Sequence, residues 1–276
     1  MQNIHRIRNI TEGKSASFAA VGSNVAAYHT PGTDIEGTVV KANEREIFID
    51  SKLVSAIEIP DVDEAMNHFD YRSEYTSTCG RALAQAYDKQ SIQVALLAAR
   101  EATDYIGDAC AARILKGAAM VTDKDTLRGS FFKAAEKWAT LNVPDDQRYA
   151  VLLPTPYYLL AQDTVIFNRD YGMNTGSFAN CVLPAIAGIT PLMSNNVPVG
   201  VIAADADNDK NTYAGDYSNC IGVFHQGLAT GTVRLMNLVT ESEYSVRKQS
   251  TLIVSKFMLG HGILRPECAI EISKAA

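Results

Sequence analysis

The apolar positions of the chain change period several times, and each change marks an element. Residues 1–13 are polar, with His5, Arg6 and Arg8, and predict an arm without a core of its own. From Lys14 to Pro60 the short runs "SASFAAV", "REIFID" and "LVSAIEI" read as strands, joined by the Pro31-Gly32 turn and the charged stretch "DIEGTVVKANE". Alternation in "EREIFIDSKLVSAIEI" is imperfect in places. A long ribbon that is partly polar on both sides buries little by itself, so an extended hairpin resting on something else is expected.

The acidic "DVDEAMNHFD" suits a helix N-terminus, where Asp61, Asp63 and Glu64 meet the positive end of the dipole. From about Glu74 to Leu115, Leu83, Tyr87, Val94, Leu97, Ala98 and Tyr105 recur at near-helical spacing without a proline. Seven alanines between Ala82 and Ala102 point to close packing by other backbones. Unbroken, such a helix spans about 60 Å, so a break near Gly80 or Ser91 is one expectation. A second helix, "LRGSFFKAAEKWATLN", places Phe131, Phe132, Ala135 and Trp138 on one side. Beyond Pro144, "RYAVLLPTPYYLLAQD" reads as a buried strand running into a helix, and a glycine- and asparagine-rich region follows. This pattern predicts a mixed α/β lobe over about 143–224. Strands return in "NCIGVFHQG", "TVRLMNLVT" and "STLIVSKFMLGHGI", so the fold class is α+β.

With 276 residues, 47% of them hydrophobic, the chain can bury a substantial core. A net charge of -6 supplies no basic field, which excludes strong non-specific attraction of the whole chain to nucleic acid. Five cysteines are scattered without a CxxC pair, which argues for reduced thiols and against zinc. No apolar run approaches the roughly 20 residues of a membrane helix. The first residues also lack a signal-peptide core, so synthesis and use in cytoplasm are expected.

Candidate chemistry is sparse. Gly13-Lys14-Ser15 matches the end of a phosphate-binding loop, but Arg8 stands where the opening glycine belongs and no apolar strand precedes it. Asp205, Asp207, Asp209 and Asp216 have the spacing of a calcium loop, yet Lys210 replaces the required glycine and the last ligand is Asp, not Glu; a solvated loop is the better reading. Glu64, His68 and Asp70 can share a helical turn, where a salt-bridge network is expected before a metal site. His225 and His261 lie in strand-like, glycine-flanked stretches and read as packed histidines. No G-x-S-x-G is present, and "SVRKQS" is too weakly basic for a nucleic-acid footprint. No catalytic residue, cofactor or metal is expected; an assembly subunit fits better.

Two long blocks, "DVDEAMNHFDYRSEYTS" and "SKFMLGHGILRPECA", resemble the major capsid proteins of short-tailed, autographivirus-type podoviruses. "GKSASFAAVG" and "IGVFHQGLATGTVRL" resemble the same family in the same order, while residues 116–225 match less well. The resemblance implies the Hong Kong 97 capsid fold. It assigns 1–13 to an N-terminal arm, 14–60 to an extended loop, 61–142 and 225–276 to a peripheral domain with a spine helix over about 74–115, and 143–224 to an axial domain. Family members usually carry a longer segment before "HRIRNITEGKSA", which implies a short arm or a trimmed sequence.

The function implied is structural. Copies would assemble as hexamers and pentamers into an icosahedral virion shell around double-stranded DNA, guided by a scaffolding protein and a portal protein, with a decoration protein left open as a further candidate partner. Arg45, Glu46 and Lys52 in the loop, with Asp63, Glu64, Arg72 and Glu74 where the spine begins, are the candidate inter-subunit contacts. A Lys-to-Asn crosslink is not expected, Lys41 and Lys52 being its candidates. The alternatives are an encapsulin-like compartment around a cargo enzyme, against which the podovirus-like blocks argue, and a nucleotide hydrolase, which fails at Arg8.

Overall fold

The computed structural model describes residues 4–22, 24, 26–35, 37, 39–66, 72–104, 106, 110, 113–167, 178, 180–205, 208 and 211–274. Strands β1 (Arg6–Asn9), β2 (Ser15–Val21), β3 (Ala42–Phe48) and β4 (Leu53–Pro60) come first, followed by the short helix α1 (Asp61–Met66) and the long helix α2 (Arg72–Arg100). Strand β5 (Ile114–Lys116) leads to helix α3 (Lys124–Thr140), strand β6 (Arg148–Leu152) and helix α4 (Pro154–Ala161). Then come β7 (Thr190–Met193), β8 (Val201–Ile202), β9 (Gly215–Asp216), β10 (Cys220–Gln226), β11 (Thr230–Ser245), β12 (Ser250–Ile263) and β13 (Ala269–Ser273). One sheet has the order β1-β11-β12-β4 and another β5-β13-β10-β6-β7, while β2 and β3 form a separate ribbon and β8 pairs β9.

Helix α2 is unbroken across Gly80 and Ser91, and at 1.5 Å per residue it is about 44 Å long. Its first half buries one stripe, Cys79, Leu83 and Tyr87, with Leu83 and Tyr87 against Phe257 and Leu259 of β12. From Ser91 to Ala99 nearly every residue is buried, because here the helix also meets the five-stranded sheet. Ile92, Ala95 and Leu96 pack on Val151 and Val223, and Ala98 and Ala99 join the larger core beyond. Of the seven alanines, Ala95, Ala98 and Ala99 serve this close approach, whereas Ala82 and Ala84 face solvent.

The helix stops at Arg100, short of the expected end near Leu115. The buried Arg113 accounts for the stop: its backbone N–H donates to the Ala99 carbonyl at 2.8 Å and its guanidinium to the Ala98 carbonyl at 3.0 Å. These are terminal helix carbonyls, which need partners from outside the helix.

The five-stranded sheet is a middle layer. Val151 turns toward α2, while its neighbours Ala150 and Leu152 turn toward α3 and α4, as strand alternation requires. Helix α3 starts at Asp123, whose carboxylate accepts from the N–H groups of Asp125 and Thr126, and it buries Leu127, Phe131, Ala134 and Trp138. Phe131 and Trp138 meet Phe224 edge-on at 4.9 and 6.3 Å between ring centroids. Phe132, expected on the same side, is exposed, because one residue turns about 100° around a helix. The sheet draws β5 from within 61–142, β6 and β7 from 143–224, and β13 from the last strands of the chain.

The ribbon stands apart from both sheets except at its base. Ser15 lies opposite Phe48 and Val21 opposite Ala42. At the base, Ile47 and Ile49 enter a small core with Val233 and Leu264, and the Asp50 N–H donates to the Leu259 carbonyl at 3.0 Å. Gly260 makes this crossing feasible: a Cβ there would lie 1.9 Å from the Phe48 carbonyl oxygen. Strand β4, expected within the extended loop, pairs with β12 and so belongs to the four-stranded sheet.

The arm is held by a buried polar chain. His5 Nε2 lies 2.7 Å from the Thr232 hydroxyl and 2.9 Å from the Tyr87 hydroxyl, and Thr232 Oγ1 lies 2.8 Å from His261 Nδ1. β1 then runs parallel to β11, pairing Arg6 with Gly231 and Asn9 with Arg234. Burial holds the imidazoles of His225 and His261 down to about 3, well below the usual 6.5.

Three outcomes are expected. Gly80→Ala, at a helix position with open space for a methyl group, raises stability by about 1 kcal/mol, seen as a higher urea midpoint; a lower midpoint contradicts the continuous helix. Gly260→Ala drives a methyl group into the Phe48 carbonyl and lowers stability by about 3 kcal/mol; a neutral effect contradicts the crossing. Unfolded histidines take up protons near pH 6.5 while His225 and His261 stay neutral in the fold to about pH 3. Stability is therefore complete above about pH 6.5 and falls as pH drops, by about 2 kcal/mol per histidine at pH 5. Urea titrations at pH 7 and 5 measure this, and His225→Gln flattens the slope; an unchanged midpoint between the two pH values contradicts it.

Candidate functional site

Among the described residues the short motifs serve the fold. Gly13, at φ 112°, turns the chain into β2. Lys14 contributes its carbonyl to the Ile49 N–H, and the Ser15 hydroxyl donates to Glu46. A strand follows the triplet where a phosphate-binding loop needs a helix. Of the calcium-like spacing, Asp207 and Asp209 lie outside the described residues. Asp216 accepts from the Ser218 hydroxyl at 2.6 Å and N–H at 2.9 Å, hydrogen bonds that hold its carboxyl below the ordinary range. His68, Asp70 and the Glu64 side chain also lie outside the described residues. Among the described residues no group of three His, Cys, Asp or Glu side chains is placed to hold a metal ion.

The buried nucleophiles and bases are occupied structurally. His225 Nε2 is 3.0 Å from the Thr230 hydroxyl, and His261 is held by Thr232. Burial pushes the thiols of Cys220 and Cys268 up to about 12, so both stay protonated and inert. All five cysteines are free. Among the described residues no helix is long and apolar enough to cross a membrane.

What the chain does present is uncovered surface. Val21, at the end of β2, is 70% exposed, and Tyr28, Ile35 and Val39 beyond it are 107%, 82% and 96% exposed. So many bare apolar side chains on one projection mark a surface meant to be covered. Arg45 and Glu46 are both exposed on β3, but on opposite faces: Arg45 lies opposite Phe18, while Glu46 lies opposite Ser17 and accepts from the Ser15 hydroxyl. Lys52 is exposed in the link to β4. Asp63 and Glu64 lie in α1, and Arg72 and Glu74 form the first turn of α2, with Asp63, Arg72 and Glu74 exposed. The ribbon group and the spine group thus occupy separate elements.

Sequence reasoning missed the clasp that fixes the ribbon's base. Asn211 Nδ2 donates to the Phe48 carbonyl at 2.8 Å and to Asp50 Oδ1 at 2.5 Å, and the Tyr213 hydroxyl donates to Asp50 Oδ2. Tyr213 Oη also accepts from the His261 N–H at 3.1 Å. Burial raises the Asp50 carboxyl above the ordinary carboxylate value, and burial with the neighbouring Asp50 charge raises the Tyr213 phenol. A second missed pair, Arg100 with Glu271, is bidentate at 2.6 Å and joins α2 to β13. Partners so far apart in the chain leave no local signal.

This arrangement of spine helix, two sheets and projecting ribbon is shared with known capsid proteins. A family model described as Gp10A-like major capsid protein matches residues 17–273. The chain is 29% identical to the major capsid protein of Escherichia phage T7, covering 96% of this chain and 84% of that protein. The capsid structure of cyanophage P-SCSP1u is similar with a TM-score of 0.87 at 37% identity, covering 99% of this chain and 86% of that one. The mature capsid of bacteriophage PhiM1 shares the fold with a TM-score of 0.79 at 15% identity, over 98% and 85% of the two chains. The α+β fold is therefore of the Hong Kong 97 capsid type, as the sequence blocks implied. The chain belongs to the Gp10A-like family of major capsid proteins, and its function is to build a phage capsid shell.

Proposed function

We propose that copies of this chain close into hexamers and pentamers of an icosahedral shell around the packaged double-stranded DNA of a tailed phage. The shell does no covalent chemistry. The observation that carries this reading is the ribbon, whose base is clamped by Gly260, Asn211 and Tyr213 while Val21, Tyr28, Ile35 and Val39 toward its end are exposed. The projecting ribbon of loop 14–60 is the lashing element, whereas the described part of arm 1–13 is docked on its own sheet; α2 with β1, β11, β12 and β4 forms the peripheral domain, and the five-stranded sheet, which also draws strands from outside 143–224, is the centre of the axial domain. Each interface is weak alone and strong by repetition, which lets misplaced subunits leave before the shell closes. Assembly in the host cytoplasm starts on a scaffolding protein and a portal protein, and a decoration protein is a further candidate partner. Arg45, Glu46 and Lys52 on the ribbon, with Asp63, Glu64, Arg72 and Glu74 at the spine, are the proposed inter-subunit contacts. Exposed ion pairs of this kind supply register more than strength.

Replacing residues 24–40 by a short Gly-Ser turn tests the ribbon. Negative-stain electron microscopy of the protein expressed with its scaffold is expected to show uniform shells for the full chain and none for the shortened one. The circular dichroism and melting temperature of the shortened subunit stay unchanged, since the removed segment lies beyond the clamp. Shells of ordinary yield from the shortened chain contradict the assigned role, and a monomer from the full chain under every condition contradicts the assembly reading itself.

A further inference from the structure

Beside the seat of the ribbon lies a cavity of about 160 Å³, lined by the guanidinium-bearing Arg6, Arg45 and Arg265 over the apolar side chains of Phe18, Leu228 and Leu264. The arginines come from β1, from β3 and from the turn after β12, so the fold itself gathers them. Arg265 is paired with Glu267 at 3.0 Å. Among the described residues neither the Arg6 nor the Arg45 guanidinium has a hydrogen-bond or ion-pair partner. Arg8 adds to the positive charge nearby, its guanidinium 5.9 Å from the centroid of the Phe18 ring and donating to the Ser17 carbonyl. Like charges collected around one opening repel unless an anion sits among them. Strand alternation turns Glu44 and Glu46 to the other face of the ribbon, so β3 does not supply that anion.

We propose that this cavity is a carboxylate site, filled in the shell by an acidic side chain of a second copy, Asp63 or Glu74. The proposal rests on the assembly reading above and names a contact within it. Two guanidiniums can engage both oxygens of a carboxylate, and Phe18, Leu228 and Leu264 offer its methylene stem apolar contact. The cavity is well below the roughly 300 Å³ of pockets that take drug-sized ligands, which leaves room for a carboxylate and its methylene stem but not for a nucleotide. Asp63 and Glu74 are exposed, and among the described residues their carboxylates have no hydrogen-bond or ion-pair partner. They stand on α1 and α2, elements other than the ribbon and the arm that carry Arg45 and Arg6.

The test is a charge swap under conditions in which the unaltered chain forms shells, scored by particle counts in negative stain and by sedimentation. Arg45→Asp is expected to lower shell yield about tenfold, as loss of a close interfacial charge pair does, with the subunit's melting temperature unchanged. Adding Asp63→Arg or Glu74→Arg to Arg45→Asp restores the yield. Arg6→Glu probes the same cavity should Arg45→Asp lower the melting temperature. Unaltered yield in both arginine variants, or no recovery with either swap, overturns the proposal while leaving the shell reading intact. Absence of shells from the unaltered chain removes both. Inorganic phosphate titrated calorimetrically onto the unassembled subunit separates the sources of the anion. Binding that Arg45→Asp abolishes, together with unaltered shell yield, assigns the site to a free anion and overturns the second-copy occupant.

Discussion

Everything in this subunit depends on one helix serving two sheets. The N-terminal half of α2 needs only a stripe, because only the four-stranded sheet lies against it. Its C-terminal half runs along the five-stranded sheet as well and is buried almost all round. A helix can be close to a sheet on one side and to a larger core on the other only where its side chains are small, and Ala95, Ala98 and Ala99 occupy those turns. The bidentate Arg100–Glu271 pair then ties its last residue to β13, and Arg113 closes its carbonyls. The two sheets are thereby packed on one continuous element.

The ribbon obeys a different constraint. Its base is specified by backbone proximity, with Gly260 admitting the Phe48 carbonyl and Asn211 and Tyr213 engaging Phe48 and Asp50 from the loop before β9. Two strands with exposed outer edges and so little core have no means of fixing their own direction. The subunit therefore sets where the ribbon leaves the body, and under the proposed assembly its neighbours set where it ends. This division suits a protein that must meet slightly different neighbours in a closed shell.

Local periodicity made most elements legible. β2, β12 and the strand-to-helix step of β6 and α4 follow directly from runs in the sequence, because each is bounded by turn residues and carries its own apolar pattern. The end of α2 was not legible: Arg113 stops the helix from outside it, and the residues after Arg100 contain no proline to announce a break. Phe132 was misjudged for a related reason, since a phenylalanine beside a core phenylalanine looks apolar in one dimension and points to solvent in three. The ribbon clasp was invisible, because Asp50 and Tyr213 are 163 residues apart and each is ordinary in its own neighbourhood. Arg45 and Glu46 were legible as exposed charges but not as members of opposite faces with different partners.

A subunit with this much uncovered strand must still avoid pairing at random. The outer edge of β11 is covered by β1 only as far as Arg234, and beyond that point it carries the exposed residues Glu241 and Glu243. The outward face of β3 carries Glu44 and Glu46. Two such edges repel when like meets like, which is how natural sheets keep a free edge from nucleating aggregates. The same charges do not oppose a partner that brings arginine or lysine, so the guard acts as a filter. With a net charge of -6 on the whole chain, subunits repel weakly at long range, and the proposed contacts are places where apolar cover and opposite charge can coincide. Under the proposed assembly, specificity then comes from charge placement, and strength from the apolar surface that each neighbour covers.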